Sequence, residues 1–478
     1  MALLDLPDLA RTPRPYLSET PNVRRVLVEA GSPQNQHDLP YPKPAYACYV
    51  LVVLTCVYVF SFIDRQVLSL LVGPVRRDLG ITDTEMSLLI GIAFAAFYVG
   101  FGIPLGRIAD SGSRRGLITA GFALWSMFAA GCGLANTFPQ LALMRMGVGV
   151  GEASLSPAAY SLITDYFPPR LRGLAQGVYN AGIHIGSGAA LMLGGVVTAW
   201  SSRQSKWKLP LIGEVRSWQL VFLIIGLAGL LFVPFMFSVK EPARRGAAAG
   251  RRSVPLAEVL EHFQKNWRAY GCHNFGIAFV SLSGYAAMSW VPTFFIRRHH
   301  WTIARTGLIY GMLIAACGTL GICWAGWLAD RIAARGRRDA YLRVAFWVAV
   351  ASFPTGMGFL LVPNATLAVI LLAPSIFLSA GAFSVGPAAL MEITPQRLRG
   401  QAGAIYLFVI NLVGLGLGPT AVALCTDYVF HDDNMLGYSI LIVTATAQMV
   451  AGILLWHGRK HFVRSHEAAI RLLDAKPA

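Results

Sequence analysis

The sequence predicts an all-α membrane protein: twelve transmembrane helices arranged as two six-helix bundles. Three observations carry that expectation. The chain of 478 residues is 55% hydrophobic and only 13% charged, against about 45–50% apolar and about 25% charged in soluble domains. Twelve stretches reach the roughly 20 mostly apolar residues that a spanning helix needs. Two sets of loop signatures recur half a chain apart. With a mean hydropathy of +0.54, soluble enzymes, disordered chains and disulfide-rich secreted modules are excluded as the main class.

The expected spans 1 to 12 cover residues 46–71, 85–108, 116–135, 139–165, 173–200, 218–239, 267–296, 305–329, 340–362, 366–391, 399–427 and 435–457. Spans 1, 4, 7, 10 and 11 contain polar residues and are expected to line something. Glycines such as Gly147, Gly149 and Gly151 in span 4, or Gly186 and Gly188 in span 5, let helices approach closely where lipid supplies no hydrophobic drive between them. The seven cysteines lie in apolar stretches without ligand spacing. They read as small buried hydrophobes rather than a disulfide frame or a zinc site.

Residues 1–45 are proline-rich and lack the apolar core of a signal peptide. They read as a disordered cytosolic tail. The expected domains are that tail, an N-terminal bundle (46–239), a cytosolic linker (240–266), a C-terminal bundle (267–459) and a second cytosolic tail (460–478). Residues 254–263 within the linker have the makings of a short surface helix. Lys and Arg fix the orientation. The tails, linker and even-numbered loops carry 29 of them and the odd-numbered loops 9. The excess places both termini in the cytosol, in an inner or plasma membrane. The net charge of +16 is thereby explained by topology, not by nucleic-acid binding.

Gly106 and Asp110 after span 2 precede Arg114 and Arg115; Gly326, Asp330 and Arg331 after span 8 precede Arg335, Arg337 and Arg338. The two aspartates are 220 residues apart. Asp165 and Arg172 after span 4 are matched by Glu392 and Arg399 after span 10, an offset of 227. A six-span unit used twice is the plan of a protein whose halves rock about a central site. Acidic residues add little to topology. The carboxylates are therefore expected to pair with arginines across neighbouring helix ends and latch the cytosolic face.

Three ionisable residues fall well inside spans: Asp64, Arg145 and Glu152. A charge at mid-membrane costs about 2.5–3.5 kcal/mol on insertion scales, so each needs a partner or a wet cavity. At 1.5 Å per residue, Asp64 lies about 27 Å from the cytosolic start of span 1, and Arg145 about 9 Å in from the outer start of span 4. In a span of about 36 Å, Asp64 and Arg145 reach a similar depth in the outer half. Glu152, about 20 Å into span 4, lies nearer the midplane on the Arg145 face. A neighbouring arginine sets whether a carboxylate in a poorly solvated cavity holds its proton. The three are read as a proton-coupling site, or alternatively as a fixed ion pair or an anion-binding site.

The loop after span 2 resembles the signature of the major facilitator superfamily, over roughly residues 46–460. Phe62-Ile63-Asp64-Arg65, the run Arg145 to Ser154, Ile185-Gly186-Ser187-Gly188 and Trp290-Val291-Pro292-Thr293-Phe294-Phe295 are similar to the Spinster branch. That resemblance implies proton-linked movement of lysolipids or sphingosine-1-phosphate-like amphiphiles, with Asp64 and Glu152 sensing protons and Arg145 as their partner. Met146 and Val148 depart from the branch pattern, as does the long proline-rich tail. The substrate cavity is expected between the halves. Its candidates are Tyr179 and His184 in span 5, Ser281, Tyr285 and Trp290 in span 7, and Tyr406 and Asn411 in span 11.

The expected function is proton-linked alternating-access transport of a lysolipid- or sphingolipid-like amphiphile. The expected partners are that substrate, protons and membrane lipids; the chain is expected to be a monomer without a cofactor or metal. A multidrug or small-metabolite transporter of the same plan is the first rival. A lipid-modifying membrane enzyme is the second, disfavoured because G-x-S-x-G, H-E-x-x-H and aspartate-rich metal motifs are missing.

Overall fold

A computed structural model describes residues 41–204, 206–210, 212–244, 256–395 and 398–474. Most of the N-terminal tail, the arginine-rich stretch 245–255, Arg397 and the last four residues lie outside these. The described chain is almost entirely helical. Ten helical stretches are long and apolar enough to cross a membrane, and they correspond to spans 1, 2 and 5–12. Spans 3 and 4 are also helical but fall short for different reasons. Span 3 is the 19-residue helix Arg114–Cys132 with two arginines at its start. Span 4 is divided into Phe138–Glu152 and Leu155–Tyr166.

Local chemistry explains the helix ends and breaks. Span 1 begins at Pro44, where a missing N–H costs nothing. Span 2 starts at Asp83 behind a capping box made by Thr82 and Glu85 and bends at Gly91. Spans 8 and 11 contain π-helical turns at Ile314–Gly318, Ile410–Leu417 and Cys425–Phe430, a distortion frequent at functional sites. Between spans 5 and 6 a short hairpin pairs β1 (Lys206–Leu209) with β2 (Gly213–Arg216). The linker helix is Leu256–Lys265.

Two expectations change. The last span does not end near residue 457: one helix runs Leu436–Asp474. Its extension is held by tertiary contacts. Phe462 is fully buried, Arg459 donates twice to Asp339 at 2.8 and 2.6 Å, and Ser465 donates to Asn266. The seven cysteines are unpaired, but Cys48 and Cys323 stand exposed on the helix surface rather than buried.

The arrangement of the apolar core positions the site. At the end carrying residues 44, 240 and 460, the terminal end, the two halves have separate cores. One is built around Leu54, Phe122, Trp125 and Ile163, the other around Tyr270, Val348, Leu390 and Leu455. At the opposite, far end a single core joins Leu71, Trp218 and Phe222 of one half to Trp290, Phe294 and Phe359 of the other. Close helix approach there depends on glycine. A Cβ on Gly188 of span 5 would meet the Gly311 carbonyl of span 8 at 2.5 Å, and one on Gly311 would meet the Gly188 carbonyl at 2.6 Å. The halves thus share a large apolar core at the far end, while toward the terminal end each half is built mainly around its own.

Candidate functional site

Spans 1, 2 and 4 assemble the buried charges. Gly149 permits it: a Cβ there would lie 2.6 Å from the Phe94 carbonyl of span 2. The tight approach brings Arg145 and Glu152 against spans 1 and 2. Asp64, Arg145 and Glu152 are all buried, with 3%, 1% and 1% exposure. Arg145 donates to the Asp64 backbone carbonyl at 3.1 Å and to the Leu89 carbonyl at 3.2 Å. The similar depth expected of Asp64 and Arg145 is what the backbone contact requires.

The pairing differs from the expected one. The cation on Glu152 is Arg65, not Arg145. Arg65 Nε and Nη2 reach Glu152 Oε2 at 2.6 and 2.5 Å, and Ser61 donates to the same oxygen at 2.6 Å. Glu152 Oε1, Asp64 Oδ1 and Arg145 Nη2 have no hydrogen-bond partner among the described residues. Aromatic faces hold the guanidinium groups. Arg65 lies over Phe62, Phe94 and Tyr98 at 4.9, 4.6 and 4.7 Å, and Arg145 over Phe94 at 5.5 Å. Phe94 therefore faces both cations, which suits its negative ring faces. The side chain of Asp64 is the one carboxylate of the pair without a salt bridge among the described residues. Sequence reasoning noted Arg65 only as part of the run Phe62-Ile63-Asp64-Arg65 and assigned it no part. Its signal was adjacency to Asp64, one helical turn from Ser61.

A cavity of about 90 Å³ opens beside this cluster. Phe62 of span 1 and His184 of span 5 meet the C-terminal half there, chiefly through Tyr285, Phe353, Phe383 and Gln448. Of the seven cavity candidates, His184 and Tyr285 line it. Trp290 instead donates to the Pro419 carbonyl in the far-end core. Ser281 packs beneath Gly414. Tyr179 stacks on Tyr58 at 4.3 Å, Tyr406 tilts against His273 at 5.6 Å, and Asn411 turns back to its own helix at Leu407.

At the terminal end the loop charges pair within each half. Arg114, almost fully buried, pairs with Asp165 and with Glu241, tying spans 3 and 4 to the linker. Glu241 also accepts from Ser113 and from the Arg115 N–H. Burial pushes its carboxyl up, but the Arg115 N–H and the Arg114 guanidinium outweigh this and hold it below the usual range. Arg172 and Arg399 cap the preceding chain at Phe167 and Thr394. Asp330 accepts from Tyr341, Arg331 covers Trp327, and Glu392 lies 4.0 Å from His466. Asp110 is exposed without an ion pair among the described residues. A pairing of arginine and carboxylate across neighbouring helix ends is seen at Arg114 and Asp165, within one half. It does not join the two halves.

The links between halves are at the far end, where sequence reasoning looked for none. Asp83, with a fully buried side chain, receives both amino groups of Arg297 at 2.7 and 2.8 Å and Arg76 at 3.0 Å. Arg76 also reaches Asp433 at 2.7 Å. Asp427 accepts from the Thr84 N–H and hydroxyl, each at 2.7 Å. Deeper in the bundle, Gln66 donates to the Met288 carbonyl at 2.9 Å. Among the described residues these are the hydrogen bonds that join the halves. Their signal was faint: isolated charges at span ends, indistinguishable from ordinary loop polarity.

Residues 54–419 match the family described as Major Facilitator Superfamily. The chain belongs to the major facilitator superfamily. It is accordingly a membrane transporter and not an enzyme. An MFS-type efflux pump of Mycolicibacterium smegmatis is 28% identical over 424 residues, covering 87% of this chain and 92% of the relative. A hexuronate transporter of Bacillus subtilis is 24% identical over 401 residues, covering 79% and 87%. Among solved structures, a bacterial homologue of the human lysosomal transporter Spinster, inward-facing and unoccupied, superposes with a TM-score of 0.70. It is 25% identical and covers 90% of this chain and 99% of that one.

Proposed function

We propose that the chain is a proton-linked alternating-access transporter for a lysolipid- or sphingolipid-like amphiphile in the inner or plasma membrane. In this reading both termini are cytosolic, and the bundles 46–239 and 267–459 rock about the linker 240–266. The observation that carries it is the juxtaposition of a buried charge cluster with a mostly apolar cavity. Asp64 supplies a carboxylate with an unpartnered oxygen, 3% exposed. Arg65 is shared between Glu152 and three aromatic rings. A substrate anion that competes for Arg65 leaves Glu152 short of its cation in a poorly solvated site, which favours proton uptake there. Proton and substrate are then linked through one guanidinium, with Arg145 holding span 4 against spans 1 and 2.

The names of the relatives favour a second reading, export of drug-like compounds or movement of sugar acids. Proteoliposomes with an imposed pH gradient separate the two. A panel of lysolipids, cationic drugs and hexuronates is offered in turn. Gradient-dependent movement of lysolipids supports the first reading. Movement of drugs or hexuronates alone replaces it with the second.

A further inference from the structure

We infer that the β1–β2 hairpin is a lipid-binding element on the far-end side of the membrane. Its tip at Ile212 rests at the top of the acyl chains, and Arg203, Lys206 and Lys208 hold the headgroups of anionic phospholipids. The inference concerns the membrane partner of the fold and stands apart from which substrate is carried.

The hairpin is a fixed platform. A two-stranded hairpin is at best marginally stable by itself, but this one is packed on the bundle along its inner face. Val215 is buried and clusters with Leu220 and Leu223 of span 6, with Trp207 and Leu209 packed against them. Trp207 donates to the Ser201 carbonyl at 2.7 Å, and its ring lies 4.6 Å from that of Trp200. At the base, Arg216 lies 3.8 Å from Asp78, which also accepts from the Trp218 indole at 2.8 Å. The inner apolar side is therefore covered by the protein itself, and the orientation of the tip and of the outer face is set.

Two observations on the outer side point to lipid. The first is continuity with the bilayer-facing surface. Leu193, Val196 and Trp200 of span 5 are all exposed, and their spacing puts them on one helix face. Ile224, Leu227 and Leu231 form the same kind of stripe on span 6. In a membrane transporter such stripes meet acyl chains. The span 5 stripe ends on Trp200, a residue type enriched where acyl chains give way to headgroups. Trp207 carries that surface onto the hairpin, whose tip presents the exposed Ile212. The second observation is charge. Alternation along the paired strands puts Lys206, Lys208, Glu214 and Arg216 on the face opposite Trp207 and Val215. Glu214 stands 3.0 Å from Lys206 and 4.0 Å from Lys208, one carboxylate between two ammonium groups. Arg216 is turned to Asp78. Arg203, exposed just past the end of span 5, has no ion pair among the described residues. Three cations thus stand over one carboxylate beside the interfacial Trp200, and long cationic side chains reach from that level to lipid phosphates.

The test places a bimane fluorophore on Ile212→Cys in the full chain, with the seven native cysteines replaced by alanine. The protein is held in nanodiscs of phosphatidylcholine and phosphatidylglycerol. One lipid or the other carries bromine, a contact quencher, near the top of its acyl chain. Both lipids are expected to quench, with phosphatidylglycerol enriched around the tip by about fivefold, the effect of one uncompensated cation at an anionic surface. Arg203→Gln, Lys206→Gln and Lys208→Gln combined should bring the ratio near one. Arg203→Lys, Lys206→Arg and Lys208→Arg combined, which keep the charge, should preserve it. Quenching by neither lipid would place the tip in water and overturn the inference. Equal quenching by both lipids in the parent, or a preference unchanged by the neutral triple variant, would overturn it as well.

Discussion

Removing Arg297 should open the far end. Its guanidinium grips Asp83 with two hydrogen bonds of 2.7 and 2.8 Å across the two halves, on a carboxylate whose side chain is fully buried. Hydrogen bonds to charged groups contribute about 1.5–3 kcal/mol each. Two would give roughly 3–6 kcal/mol, but two features reduce that. Arg297 is itself 17% exposed, and Arg76 remains on Asp83 at 3.0 Å. A net loss of about 2 kcal/mol for the closed far end is reasonable, a shift of roughly 30-fold in the ratio of closed to open forms. Spin labels at Leu134 and Leu367, both exposed and on opposite halves, report the far-end separation. Arg297→Gln is expected to add a longer distance to the distribution, and Asp83→Asn, which loosens Arg76 as well, to add more of it. A distribution identical to that of the parent in both variants would show that apolar packing alone closes this end.

Other consequences follow from the same geometry. Asp110→Asn, at a carboxylate expected from sequence to help latch the cytosolic face, should leave the terminal-end label distances unchanged, because Asp110 makes no ion pair among the described residues; a shift would assign it a partner in another state. Arg114→Ala leaves Asp165 and Glu241 without their shared cation and should lower the melting temperature by several degrees, whereas Arg172→Ala should have a smaller effect. Glu241 sits below its ordinary carboxyl value of 4.5, so its stabilising contribution is complete above about pH 4.5 and fades as the pH falls through the lowered folded value. Glu241→Gln should therefore reduce the melting temperature at neutral pH and narrow the gap to the parent on acidification; a constant gap would contradict the assignment. Gly311→Leu should abolish far-end packing against Gly188, read as a longer Leu134–Leu367 distance with expression retained.

The fold was legible because its signals are long and repeated. Twelve apolar runs and the doubled loop signatures at Asp110 and Asp330 do not depend on any tertiary detail. The buried charges Asp64, Arg145 and Glu152 were legible for a related reason: a charge inside a span is costly and stands out. Which charges pair was not. Arg145 could be placed at the depth of Asp64 by counting residues, but hydrogen bonding to a carbonyl rather than a carboxylate depends on side-chain rotamers. The extension of the last helix to Asp474 was hidden because its stability comes from Asp339, Asn266 and the pocket for Phe462, all far away in sequence. Asp83, Arg297 and Asp433 looked like loop residues, since the contact between them exists only when the two halves meet. Gln448 was invisible as a site residue: one amide on a spanning helix has no pattern, and only the cavity gives it a meaning.

In the proposed mechanism proton and substrate are linked through the cluster of Asp64, Arg65 and Glu152. Proton movement driven by substrate tests it most directly. Proteoliposomes are loaded with a pH-sensitive dye at equal internal and external pH, and a lysolipid gradient is applied. The account predicts a substrate-dependent pH change for the parent protein. It also predicts that the change is lost in Asp64→Asn and Glu152→Gln, while each folded variant still binds lysolipid. A parental pH change that persists undiminished in both variants would contradict the account, because neither carboxylate would then carry the coupled proton.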